Sequence, residues 1–204
     1  GVDEAKAFVA GADVGELRER DHLEQRAASK RPRVYEVVDD LPQPVIARLN
    51  GHALGGGCEL AQACDVRIAH ERAKIGQPEI NLGIMPGGGG TQRLPRLVGE
   101  AKAKELVMTG RDVGPEEAVD LGLAVESVPT DEVLEAGREL ANTIRDKPGT
   151  AMQETKALFD DSATYDDYAQ AAIEAQRAAR DDPEHTEAVT ALREGRDPDF
   201  DRSY

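Results

Sequence analysis

The chain has no tryptophan, and only three phenylalanines and four tyrosines among its 204 residues. Aromatic rings cannot dominate its interior, so the core must be assembled from Ala, Val, Leu and Ile. Cysteine is nearly as scarce. Cys58 and Cys64 are the only two, too few and too close for a disulfide framework or a four-ligand zinc site. They read as small buried thiols. The four histidines, His22, His52, His70 and His185, share no short ligand spacing, and no metal site is expected. No apolar run approaches the roughly 20 residues that cross a bilayer. Asp3, Glu4 and Lys6 stand where a signal peptide needs an apolar stretch. The expectation is a soluble, cytoplasmic protein.

Positive charge is also short. Lys and Arg total 25 against 40 Asp and Glu, a net charge of −15. Phosphate backbones and anionic membrane surfaces would be repelled, which argues against nucleic acid or membrane as a partner. Only seven of the basic residues are lysines. An acidic, lysine-poor surface resembles that of proteins from salt-loving organisms, where salt screens the self-repulsion; an ordinary acidic protein is the plainer alternative.

What the chain does have is alternation followed by helix. Ala7-Phe8-Val9 predicts a short strand, followed by a charged helix from about Val14 to Val38 that Pro32 interrupts. Val45–Leu49 predicts a buried strand and Asn50-Gly51 a turn. Gly55-Gly56-Gly57 then opens a helix through Ala63. Asp65–Ala69 and Ala73–Gly76 predict strands. A long loop through Pro78 and the Gly87–Gly90 run leads to a helix from Thr91. Helices at about Ala101–Thr109 and Pro115–Leu121 end at Gly110 and Gly122, and Val125–Val128 predicts the last strand. Beyond it, helices are expected from Thr130 to Arg145, at Thr150–Phe159, at Tyr165–Arg180, and from Pro183, capped by Asp182, to Gly195. The fold class is therefore α/β with an α-helical C-terminal region.

Two features could carry chemistry. A glycine triplet between strand and helix leaves unpaired N–H groups pointing outward, adds the positive end of a helix dipole, and permits close approach. Such a place suits a phosphate or an enolate oxygen, although turns and packing explain many such triplets. Neither glycine cluster continues as Gly-Lys-Ser/Thr. Leu60 and Ala61 fall where a dinucleotide fingerprint needs glycine, so a nucleotide cradle is not expected. The second feature is a pair of carboxylates. Glu59 lies in the first turn of a helix where its neighbours Cys58, Leu60, Ala61 and Ala63 are small or apolar, and a buried glutamate needs a reason. Glu79 lies in a loop of glycine, proline and aliphatic residues, where burial would raise its pKa toward the range useful for proton transfer.

Three segments carry a resemblance: Ala7–Asp13, Asn50–Leu60, and Gly76–Ile80 with Leu82–Leu94. In this order they resemble the crotonase superfamily, in particular its enoyl-CoA hydratase/isomerase family. The similarity continues through Leu106–Gly110 and Ala118–Leu123 and fades in the helical tail. The resemblance implies a spiral of ββα turns over residues 1–138 and a helical region over 139–204 that makes trimer contacts, often as a dimer of trimers. It implies that the backbone N–H groups of Ala12 and Gly56 hold a thioester oxygen. Glu59 and Glu79 would share acid/base work on a water and the acyl carbons, their separate roles left open because a shared water couples their titrations. Ala10, Asp13, Gly55 and Gly87 would line the substrate site. The implied substrate is an acyl-CoA thioester, with coenzyme A part of the substrate and no separate cofactor. The implied reaction is syn addition of water to a 2-trans-enoyl-CoA. Double-bond isomerisation, another thioester reaction and a non-catalytic subunit are the alternatives. The family pattern has further strands and a helix ahead of the segment that begins at Gly1, so the resemblance also implies an N-terminally short member.

Overall fold

The structure, a computed structural model, describes residues 7–9, 11, 24, 32–161 and 165–200. Most of the predicted charged helix from Val14 lies outside them. The part that is described is α1 (Val34–Asp39), which begins two residues after Pro32. The chain divides into two compact units, Gly1–Leu41 with Val45–Arg138, and Pro42–Pro44 with Glu139–Tyr204.

The first unit holds two sheets. In one, β1 (Ala7–Val9), β3 (His52–Leu54), β5 (Ile75–Gly76) and β6 (Asp112–Val113) are neighbours in that order. Only the β5–β6 pair is antiparallel. In the other, β2 (Ile46–Leu49), β4 (Val66–His70) and β7 (Glu126–Val128) are all parallel. Parallel neighbours require crossover connections, which here include α2 (Gly56–Gln62), α3 (Gly90–Val98), α4 (Glu100–Thr109) and α5 (Pro115–Asp120). Leu49, Ala53, Ile68, Ile75, Leu94, Leu106 and Leu123 are buried in the core between them. Among the described residues, that core contains no aromatic side chain in its fully buried part, in keeping with the composition.

Two local devices fix α2, the helix that matters most below. At its start, a Cβ on Gly57 would stand 1.8 Å from the Val9 carbonyl oxygen. No side chain fits there, so only glycine lets α2 lie against β1. At its end, the buried Arg67 of β4 donates to the carbonyls of Ala61 (3.3 Å), Cys64 (2.7 Å) and Leu123 (2.7 Å). A cation is favoured at a helix C-terminus, and these carbonyls satisfy a guanidinium that burial would otherwise penalise.

Beyond β7 the described chain is helical: α6 (Val133–Arg145), α7 (Gly149–Asp161), α8 (Tyr165–Asp181) and α9 (Pro183–Glu194). Asp182 caps α9 by accepting from Glu184 N at 2.8 Å, with Pro183 at the first helical position and a left-handed Gly195 at the end. α6 starts three residues later than Thr130 suggests, because residues 130–132 form a turn in which Glu132 N donates to Pro129 O. Among the described residues no helix is long and apolar enough to cross a membrane, and no group of three potential metal-ligating side chains comes together.

Candidate active site

The first turn of α2 points Glu59 into the interior of unit one, where it is 3% exposed. Its Oε1 accepts from Gly88 N at 2.6 Å and from Gly90 N at 2.9 Å. These amides come from the turn that follows the buried Pro86 and leads into α3. The turn can pass this close because residue 88 has no side chain. A Cβ there would stand 2.6 Å from Glu59 Oε2 and 2.6 Å from the Tyr35 ring. With both amides on Oε1, Oε2 faces the space beside Tyr35. Burial pushes the Glu59 carboxyl above its ordinary pKa, and the Gly90 and Gly88 amides, Arg33 and Arg93 pull the other way.

Glu79 arrives from a different element, the 3-10 turn Pro78–Leu82, and is 8% exposed. The left-handed Gly83 closes that turn, its N–H donating to Ile80 O. Burial raises the Glu79 pKa to about 7, the charge of Glu59 adding to the rise. The Gln77 amide satisfies its surroundings in one orientation. Its nitrogen donates to Glu79 Oε1 (2.9 Å) and Oε2 (3.1 Å), and its oxygen accepts from Gln62 Nε2 at 3.1 Å. Gln62 in turn donates to Cys58 Sγ at 3.0 Å. The Cys58 thiol is pushed up to about 12 by burial and stays protonated.

The two carboxylates share one site. A Cβ at Gly90 would meet both the Gln77 amide (2.5 Å) and Glu59 Oε1 (3.1 Å), and one at Gly55 would stand 3.3 Å from Glu79 Oε1. Gly55 therefore lies over Glu79 and leads directly into Gly56. The Gly56 N–H is at the first position of α2, where a helix has no acceptor for it. Ala10, Ala12 and Asp13 lie outside the described residues. Gly11, next to Ala12, is described. A Cβ on it would stand 3.5 Å from Gly56 N, so the chain at Gly11, just after β1, approaches the start of α2. Gly87 sits at the exposed edge of the same turn, its carbonyl accepting from Arg33 Nη1.

The sequence assigned no role to Arg33, Tyr35, Gln77 or Arg93, all of which the fold brings here. Gln77 and Arg93 stand inside the motif segments that carry the family resemblance. Arg33 and Tyr35 lie outside them, and their approach to the glycine turn spans more than 50 residues of chain.

Residues 2–203 match the family model described as enoyl-CoA hydratase/isomerase. The chain is 45% identical over 152 residues to a short-chain-enoyl-CoA hydratase of Clostridium acetobutylicum, covering 74% of this chain and 58% of that one. It is 43% identical over 162 residues to a crotonyl-CoA hydratase of Syntrophomonas wolfei, covering 79% and 62%. It thus spans about three fifths of the length of these two relatives. A solved enoyl-CoA hydratase from Bacillus anthracis superposes with a TM-score of 0.87 at 38% identity, over 94% of this chain and 75% of that one. The sheets, the buried carboxylates on α2 and the 3-10 turn, and these likenesses agree: the chain belongs to the enoyl-CoA hydratase/isomerase family.

Proposed function

We propose that this chain forms the catalytic core of an enoyl-CoA hydratase, adding water syn across the double bond of a 2-trans-enoyl-CoA, reversibly. The observation that carries the proposal is the pair of carboxyls in one buried site with different environments. Glu59 accepts two amide hydrogen bonds on one oxygen, which hold back the rise that burial gives its pKa and suit it to take a proton from water. Glu79 keeps a proton to about pH 7 and is suited to give one to Cα as water adds to Cβ. The Ala12 and Gly56 N–H groups polarise the thioester carbonyl and stabilise the enolate; removing one such donor typically costs about two to three powers of ten in rate. Ala10, Asp13, Gly55 and Gly87 line the substrate site.

Isomerisation needs one carboxyl to carry a proton between two carbons, whereas hydration uses two, so the paired site favours the hydratase. Coenzyme A enters as part of the substrate. A homotrimer or a dimer of trimers built through the helical region, a cytoplasmic setting, a place in fatty-acid oxidation and a salt-rich milieu complete the proposal; for the last, the net charge of −15 is the support. The test is to give the purified chain crotonyl-CoA and, separately, a 3-enoyl-CoA in concentrated salt. Loss of the enoyl absorbance with formation of 3-hydroxybutyryl-CoA is expected. Conversion of the 3-enoyl thioester alone would overturn the hydratase reading.

A further inference from the structure

Four charged side chains around the Gly87–Gly90 turn have no part in the reaction as proposed. Arg33 Nη1 donates to Gly87 O, and Arg93 Nη1 donates to Gly88 O at 3.0 Å. Each arginine is itself held by an acid of α1. Glu36 takes Arg33 (Nη2–Oε1 2.8 Å) and Asp39 takes Arg93 (Nη2–Oδ2 2.8 Å). Glu36 and Asp39 are three residues apart and so share one face of the helix. The Tyr35 ring packs against Gly88.

We propose that Arg33 and Arg93, anchored by Glu36 and Asp39, are positioning residues that clamp the Gly87–Gly90 turn and keep its amides aimed at Glu59 Oε1. The reason lies in the planarity of the peptide bond. The Gly87 carbonyl and the Gly88 N–H belong to one rigid unit, so a cation holding that carbonyl orients and polarises the N–H that meets Glu59. The Gly88 carbonyl, held by Arg93, fixes the Gly88–Gly89 unit, which links the two units whose N–H groups meet Glu59. A run of four glycines has the least rigidity of its own, and an external clamp supplies it. The role of Glu59 in this inference rests on the hydratase reading.

Among the described residues, the groups facing Glu59 are Arg33 at the N-cap of α1, Tyr35 from α1, Arg93 from α3, and Glu79 with Gln77 from the 3-10 turn and its cap. Arg33 and Arg93 favour the ionised form through their charge, and Arg33 also through the Gly88 amide whose plane it holds; Glu79, once ionised, opposes it. Loosening the clamp should raise the Glu59 midpoint. The test is a carbon-13 NMR titration of the Glu59 carboxyl, identified by its loss in Glu59→Gln, in wild type, Arg33→Ala, Arg93→Ala, Arg93→Lys and Asp39→Asn. Arg96→Ala, an exposed change on the same helix, is the control. The clamp predicts a midpoint about one pH unit higher in Arg93→Ala, and a higher one in Arg93→Lys, which keeps the charge but loses the fork. Asp39→Asn, which leaves the arginine in place, shifts it in the same direction and serves if Arg93→Ala does not fold. In turnover, the acidic limb of kcat/KM moves up with it, about a tenfold loss below that limb, while KM holds. Unchanged midpoints in the Arg33 and Arg93 variants would overturn the clamp. The titration needs no turnover, so an inert wild type would count against the hydratase alone.

Discussion

Glu79 pays for its chemistry in stability. Its folded pKa of about 7 exceeds the ordinary 4.5 because burial penalises the charge. A carboxyl raised on folding leaves the folded state unpenalised below pH 4.5 and progressively destabilised as pH rises to 7, with the full cost above it. Glu79→Gln removes the charge and keeps the shape. The variant should therefore be more stable than wild type by about 2–3 kcal/mol at pH 8, with the difference vanishing toward pH 4.5, measured by urea unfolding at the two pH values. A constant difference across that window would mean that Glu79 does not titrate there. A residue that weakens the fold to hold a poised proton is expected at an active site and not in a scaffold.

At the scale of elements, the site depends on α2 lying against β1. Gly57→Ala forces the new methyl into the Val9 carbonyl. It should cost about 3 kcal/mol, at the upper end of overpacking, with β1 pushed off α2; thermal unfolding and amide exchange at residues 7–11 would read both. A wild-type Tm would show that β1 can retreat freely. Much of this architecture was legible in the sequence. β2 and β4 are short, mainly aliphatic segments bounded by turn signals, and α4, α5 and α9 carry their stops and caps in glycine, proline and aspartate. The sequence did not name β3 or β6. Two or three residues hold no period, and they are strands only because β5 and its neighbours lie beside them. The burial of Glu59 and Glu79 could be read from their apolar neighbours. The clamp of Arg33 and Arg93 could not, since each looks like a surface charge until the glycine turn, 54 residues from Arg33, folds back against α1.

At the scale of the whole molecule, the family membership and the paired carboxyls bear on the hydration proposed above, for a chain whose match spans about three fifths of the two hydratases compared above. Residues that act as a unit are non-additive in their effects, and this separates a working pair from two buried glutamates that merely lie close. The decisive measurement is kcat for crotonyl-CoA hydration in concentrated salt by wild type, Glu59→Gln, Glu79→Gln and the double variant. Each single change should lower kcat by about two to four powers of ten, with the double variant little slower than the worse single. Near wild-type turnover in either single variant would contradict the account.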